Sequence, residues 1–224
     1  MNTNTKQKIE SVINVFESGS LQGDYSLVSI YADGVGNSKQ ITFGRSQTTE
    51  QGNLKQLLEM YCSDTDAKYA HLLKPYLSKI TGKKTDLWKD KQFKKYLENS
   101  GFDPIMISVQ DFFFEKHYFE PSEKWFIENG FTLPLSMLVI YDSFIHSGGI
   151  LNFLRKRFSE SPPVLGGDEK AWIKAYVDVR EKWLLSKGKP LSGTIYRTKT
   201  FKKAIEQDNW NLELPIYANG INII

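Results

Sequence analysis

Near the N-terminus, apolar residues recur at the spacing of an α-helix, and segments typical of β-strands follow. Four apolar residues lie three or four positions apart and predict a helix with one buried face: Ile9, Val12, Ile13 and Phe16. Residues 25–31 and 40–44 are rich in β-branched and aromatic residues, which predicts two strands. Between them, an Asp-Gly step at Asp33 and a Gly-Asn step at Gly36 favour a tight turn. We therefore predict a helix that ends beside Glu17, followed by a hairpin with Asp33 at its rim.

Helical spacing returns in the remainder of the chain. The segments with this pattern are 54–61, 69–80 with an interruption at Pro75, 105–118 and 133–145. The last is almost wholly apolar, which indicates a buried helix too short to cross a bilayer. We interpret the aromatic residues between Phe112 and Phe119 as core, and Asp168 as the N-cap of a further helix. The predicted fold class is mainly α, with a small antiparallel β-hairpin.

Composition narrows the class of protein. With 40% hydrophobic residues, 13% aromatic residues and a net charge of +3 over 224 residues, the chain has globular values. Lys and Arg are interspersed with Asp and Glu, so we expect no nucleic-acid partner. Cys62 is the single cysteine, and the three histidines are far apart, so we expect neither a disulfide nor a metal or other cofactor.

The N-terminal residues are polar and precede no apolar run, so we expect neither a signal peptide nor a membrane span. Three situations stay open: a cytoplasmic protein, a mature form without its leader, and export by a route that needs no leader. We expect a monomer.

Two carboxylates are the candidate chemistry. Glu17 lies beside Phe16 at the edge of an apolar face, where partial desolvation disfavours the ionised form and suits a general acid. A second carboxylate across a cleft, such as Asp33, can then support hydrolysis of a glycosidic bond. Taken singly, each residue has an ordinary alternative: a solvated helix-end Glu and an Asp in a simple turn.

The order of these features resembles the chitosanases of glycoside hydrolase family 46 and, more loosely, phage-type lysozymes. The motifs are Phe-Glu-Ser at 16–18, the Tyr-rich strand, Asp-Gly-x-Gly at 33–36, and Thr42 before Gly44. The segments 139–148, 169–180 and 209–212 extend the resemblance over nearly the full length. The hairpin departs from the family pattern, because Val35 stands where Arg is usual and residues 37–40 are additional.

The resemblance implies a lysozyme-like, two-lobed helical fold with the hairpin at an active-site cleft. We expect a single catalytic domain over 1–224, with one lobe of roughly 1–60 plus parts of the C-terminal region and the other of 61–224. It further implies Glu17 as general acid, Asp33 as general base and Thr42 as the residue that holds the attacking water. A buried charge network behind the acid is implied as well, formed by Asp142, Arg180 and Arg197.

Three functions remain open from the sequence. The first is an endo-acting, inverting chitosanase-like hydrolase that cleaves β-1,4 bonds in an amino-sugar polymer. The second is a muramidase of the lysozyme type acting on peptidoglycan, as an antibacterial effector or lysin would. The third is a non-catalytic glycan-binding module. A polycationic substrate favours acidic cleft walls, whereas this chain is slightly basic with a pI near 8.7, which leaves room for anionic peptidoglycan.

Overall fold

Helices account for most of the secondary structure in the computed structural model, which describes residues 2–45, 47–83 and 85–224. In chain order, the α-helices and strands are α1 (Thr3–Ser18), β1 (Val28–Tyr31), β2 (Gln40–Phe43), β3 (Thr48–Thr49), α2 (Leu54–Ser63), α3 (Ala70–Leu73), α4 (Lys91–Ser100), α5 (Pro104–Phe114), α6 (Glu120–Glu128), α7 (Pro134–Ser147), α8 (Asn152–Arg155), α9 (Glu169–Ser186), α10 (Tyr196–Glu206), β4 (Ile216–Ala218) and β5 (Ile221–Ile223). Short 3-10 segments lie at Val35–Asn37, Lys74–Tyr76, Leu87–Lys89, Pro163–Leu165 and Leu191–Ile195, and a π-helical segment lies at Glu115–Phe119. The predicted fold class, mainly helical with a small antiparallel β-element, is confirmed.

The strands form two separate antiparallel sheets. In the first, β2 lies between β1 and β3, and Tyr31 pairs with Gln40 at the end nearest the connecting turn. The second is the hairpin of β4 and β5, whose turn residues Asn219 and Gly220 both have positive φ angles, of 44° and 88°. Asn-Gly is the pair that a two-residue hairpin turn of this kind favours, because both positions need left-handed backbone angles.

The chain divides into two compact units. One consists of residues 2–16 and Glu115–Ile224, and the other consists of Glu17–Phe114. The boundaries between these units fall at Phe16 and Phe114. Within the unit Glu17–Phe114, α2 packs against β3, α3 and α5.

The unit Glu17–Phe114 combines the three-stranded sheet with short helices. One face of α2 supplies fully buried side chains to its core, among them Leu54, Leu58 and Tyr61. The Tyr61 hydroxyl donates to Asp103 Oδ2 over 2.6 Å, and the same oxygen accepts from the Lys68 backbone N–H. A buried carboxylate is thus satisfied at the start of α5, as burial of a charge requires.

The other unit is built around α7. Each residue from Leu135 to Ser143 is buried, so this helix is enclosed on all sides, as its apolar sequence predicts. It begins with Pro134 in its first turn and ends at Gly148, whose φ of 74° suits a residue without a side chain. No helix in the described part of the chain is long and apolar enough to span a membrane.

Some boundaries differ from the sequence expectations. The aromatic helix expected over 105–118 is α5 followed by the π-helical segment, and Phe112 is 52% exposed although its neighbours Phe113 and Phe114 are buried. The N-cap is confirmed, since the Asp168 carboxylate accepts from the Ala171 backbone N–H over 2.6 Å.

Candidate active site

The hairpin of β1 and β2 carries Asp33 on its exposed connection. The turn that follows Asp33 is closed by two backbone hydrogen bonds, from the Gly34 N–H to the Ser38 carbonyl and from the Ser38 N–H to the Val35 carbonyl. Asp33 itself is exposed. Its Oδ1 accepts a hydrogen bond of 2.9 Å from the side-chain amide of Gln40, the first residue of β2. A carboxylate with one fixed oxygen and access to solvent can accept a proton from water.

Thr42 lies in the middle of β2, opposite Ser29, and is only 2% exposed. Its hydroxyl donates to Gln47 Oε1 over 2.6 Å, and the Gln47 amide in turn donates to the Gly44 carbonyl over 2.9 Å. The structure thus places Thr42 on the same hairpin as Asp33, with its hydroxyl bound to a neighbouring amide.

Glu17 lies in the last turn of α1 and is partly exposed. The residue before it, Phe16, is buried and is held by α10. Its carbonyl accepts from the Tyr196 hydroxyl over 2.9 Å, and its ring packs 5.8 Å from the ring of Phe201. The Arg197 guanidinium stacks over the Phe16 ring at 5.1 Å. The backbone at the end of α1 is therefore anchored one residue before the candidate acid.

Asp142, Arg180 and Arg197 are brought together in the interior. Asp142 is fully buried on α7, and each of its oxygens accepts one guanidinium hydrogen bond of 2.6 Å: Oδ2 from Arg180 and Oδ1 from Arg197. Burial alone would raise the pKa of Asp142, but the charges of Arg180 and Arg197 outweigh burial and hold that pKa below its usual value. The Asp142 carboxylate is thus ionised, as a buried acid with two cationic partners should be.

His146 follows Asp142 by one helical turn. Burial, together with the positive charges of Arg197 and Arg180, lowers the pKa of His146 to about 3. The imidazole is therefore neutral at pH 7. The buried cluster then carries two positive charges and one negative charge.

Two residues of the site were missed by sequence reasoning. Gln40 and Gln51 connect the Asp33 turn to the rest of its unit, through bonds from Gln40 to Asp33 and from the Gln51 backbone to Gln40. The two glutamines are eleven positions apart, and no local pattern connects them. Within residues 2–45, 47–83 and 85–224, no group of three or more His, Cys, Asp or Glu side chains is placed to hold a metal ion.

A mainly helical protein with one candidate acid at a helix end and a second carboxylate on an exposed hairpin fits the class of glycoside hydrolases. Comparison of the sequence with protein families supports this class. The model of glycosyl hydrolase family 46 matches residues 11–216. The chain therefore belongs to glycosyl hydrolase family 46 and is a glycoside hydrolase.

Individual relatives agree with this assignment. The chain is 24% identical to a chitosanase of Bacillus subtilis (strain 168), in an alignment that covers 98% of this chain and 83% of the relative. Its fold is similar to that of a mutant chitosanase from Bacillus subtilis MY002 complexed with six GlcN units, with a TM-score of 0.85, 20% identity and full coverage of both chains. It is also similar to a family 46 chitosanase from Gynuella sunshinyii in complex with chitotetraose, with a TM-score of 0.87, 19% identity, and coverage of 99% of this chain and 97% of that chain.

Proposed function

We propose that this protein is an endo-acting chitosanase that hydrolyses β-1,4 bonds between glucosamine units. The observation that carries the proposal is the family match over residues 11–216, a range that contains both candidate carboxylates. The relatives described above are named chitosanases; one of them was solved with six GlcN units and another with chitotetraose. The expected single catalytic domain, acting as a monomer, is part of this proposal.

In this proposal Glu17 is the general acid. It protonates the oxygen of the leaving sugar while positive charge develops on the other sugar ring. The anchoring of Phe16 by Tyr196 and Arg197 supports the role, because a proton donor must be held in a defined position. Through Arg197, the buried Asp142 network stabilises the helix end that carries Glu17.

Asp33 is the general base, which removes a proton from the attacking water. Its exposure and its hydrogen bond from Gln40 support this role. Glu50 is a poorer candidate, because it is fully buried and its oxygens accept from the Ile41 N–H and the Thr85 hydroxyl. The mechanism is then a single displacement with inversion, in which the two carboxyl groups stand roughly 6.5–9.5 Å apart and admit a water.

Thr42 as the residue that holds the attacking water stays a prediction. Its hydroxyl donates its one proton to Gln47, so the hydroxyl oxygen would hold the water by accepting a hydrogen bond from it. Thr42→Val removes the hydroxyl and keeps the shape. If the proposal for Thr42 holds, this variant loses kcat without a matching rise in KM.

The test measures new reducing ends from chitosan and from bacterial sacculi in parallel. The wild-type protein is expected to act on chitosan. Glu17→Gln and Asp33→Asn are each expected to lower kcat by roughly 10²- to 10⁴-fold, because each removes one proton-transfer step while preserving shape. The matched controls are Glu98→Gln, near the end of α4, and Asp64→Asn, whose carboxylate accepts from the Asp66 N–H in a turn.

Both controls should retain the wild-type rate. Release of reducing ends from sacculi alone would replace chitosan by peptidoglycan as the substrate. A rate within a few-fold of wild type in Glu17→Gln would remove Glu17 from the role of acid, and the same result in Asp33→Asn would remove Asp33 from the role of base.

A further inference from the structure

A buried side-chain amide holds the carboxylate of Asp33. Gln40 is only 5% exposed, and both ends of its amide are bonded. Nε2 donates to Asp33 Oδ1 over 2.9 Å, and Oε1 accepts from the Gln51 backbone N–H over 3.0 Å. If the Gln40 amide were reversed, its NH₂ would face the Gln51 N–H and its oxygen would face the Asp33 carboxylate. Neither pair can form a hydrogen bond, so the two partners fix the orientation of the amide.

The side chain of Gln51 holds the turn that follows Asp33. Its Oε1 accepts from the Val35 backbone N–H over 2.8 Å, and its Nε2 donates to Ser38 Oγ over 2.9 Å. A Cβ atom added at Gly34 would collide with the same amide. The turn is therefore closed on Gln51, and glycine is required at position 34 for this close approach.

Gln51 is itself fixed by its neighbour Glu50. The Glu50 backbone N–H donates to the Ile41 carbonyl over 2.8 Å, and the Ile41 N–H donates to Glu50 Oε2 over 3.3 Å. Glu50 is fully buried and also accepts from the Thr85 hydroxyl. The Gln51 N–H that donates to Gln40 Oε1 therefore directly follows a residue that is buried and hydrogen-bonded.

We propose that Gln40 is a positioning residue for Asp33, with Gln51 holding the turn around them. The proposal rests on the proposed function, in which Asp33 is the general base. An exposed aspartate can adopt several rotamers, and a hydrogen bond to Oδ1 from a buried donor selects one of them. In the described part of the chain no residue donates to Oδ2 of Asp33, so that oxygen can accept a hydrogen bond from the attacking water.

Gln40 is the first residue of β2 and lies just after the turn that follows Asp33. A base must lie within hydrogen-bond reach of the water that it activates, and a misplacement of about 1 Å can reduce the rate by roughly 10²-fold.

The test compares Gln40→Met with Gln110→Met. Methionine keeps the length of the side chain and removes the amide. Gln110 is a matched control: it is also 5% exposed, its Oε1 accepts from the Arg45 N–H, and its Nε2 donates to the Tyr25 carbonyl, each over 2.9 Å. Both variants should unfold at lower temperature. We expect Gln40→Met to lose about 10-fold in kcat on chitosan with KM within about two-fold, and Gln110→Met to keep the wild-type kcat.

A double-mutant cycle with Asp33→Asn separates positioning from a general structural effect. If Gln40 acts through Asp33, Gln40→Met has no further effect on the residual rate of Asp33→Asn. Independent, multiplicative losses would overturn the inference, as would a wild-type kcat in Gln40→Met or equal losses of kcat in Gln40→Met and Gln110→Met. Full activity of Asp33→Asn would instead refute the proposed base, whatever Gln40→Met does. If Gln40→Met does not fold, Gln40→Leu removes the donor without adding a charge beside Asp33, and the same loss of kcat is expected.

Discussion

For the buried cluster of Asp142, Arg180 and Arg197, we predict that loss of the carboxylate lowers the free energy of unfolding more than loss of one guanidinium. Asp142 shares its two oxygens between two guanidinium groups, each at 2.6 Å, and all three side chains are buried. Asp142→Asn removes the carboxylate charge that Arg180 and Arg197 share and leaves two buried cations close together. Arg180→Met removes one cation and leaves Asp142 paired with Arg197.

The two substitutions should therefore differ in free energy of unfolding. Removal of one partner from a buried ion pair costs about 3–5 kcal/mol, and we expect Asp142→Asn in that range because two buried guanidinium groups lose the carboxylate that they share. Among the described residues, Arg180 Nε and Nη2 have no hydrogen-bond acceptor, so loss of this guanidinium also removes two unsatisfied donors. We expect Arg180→Met to cost about 1–3 kcal/mol.

The assay is equilibrium unfolding by urea at pH 7, with thermal denaturation alongside. For a chain of this length, the cost of Asp142→Asn corresponds to a fall in Tm of about 10 °C. A control is Lys202→Met, which removes the ion pairs of a partly exposed lysine with Glu181 at 2.6 Å and with Asp178 at 2.9 Å and should cost below about 1 kcal/mol. The reasoning is refuted if Arg180→Met costs as much as Asp142→Asn, or if neither exceeds the control.

Two further predictions concern neighbours of the cluster. Arg197 contacts the ring of Phe16, the residue before Glu17. The kcat of Arg197→Met on chitosan should therefore be about 3- to 10-fold below that of Arg180→Met, and equal kcat values would contradict this. The pKa of His146 is lowered to about 3 in the folded protein. Between about pH 6.5 and 3, His146 therefore binds a proton in the unfolded chain but not in the folded one, so the free energy of unfolding decreases as the pH falls. In urea titrations between about pH 6.5 and 4.5, His146→Gln should flatten this dependence by up to about 1.4 kcal/mol per pH unit, and an unchanged slope would contradict the buried neutral imidazole.

Local patterns predicted the elements that depend on local chemistry. The apolar spacing up to Phe16 gave the buried face of α1, and the wholly apolar segment gave the enclosed helix α7. The carboxylate of Asp168 caps α9 as expected, because capping involves residues only three positions apart. One local signal was overlooked: Asn219-Gly220 between two isoleucine-containing segments is a strong hairpin motif, and it joins β4 to β5.

Contacts between distant positions were beyond the sequence patterns. The bonds from Gln40 to Asp33 and to Gln51 depend on the register of β2 and on the segment after β3. The complete burial of Glu50 likewise depends on the Thr85 hydroxyl, 35 positions away. A polar residue in a turn-rich segment is by default expected at the surface, and only tertiary packing reverses that expectation.

The central claim is a single displacement on a glucosamine polymer, with Glu17 as acid and Asp33 as base. The most direct measurement is time-resolved ¹H NMR of the reducing ends first formed from a glucosamine hexamer. Because water attacks the face opposite the broken β-bond, the account predicts that the α-anomer appears first and then equilibrates. Initial formation of the β-anomer, or no cleavage of the hexamer, would contradict it.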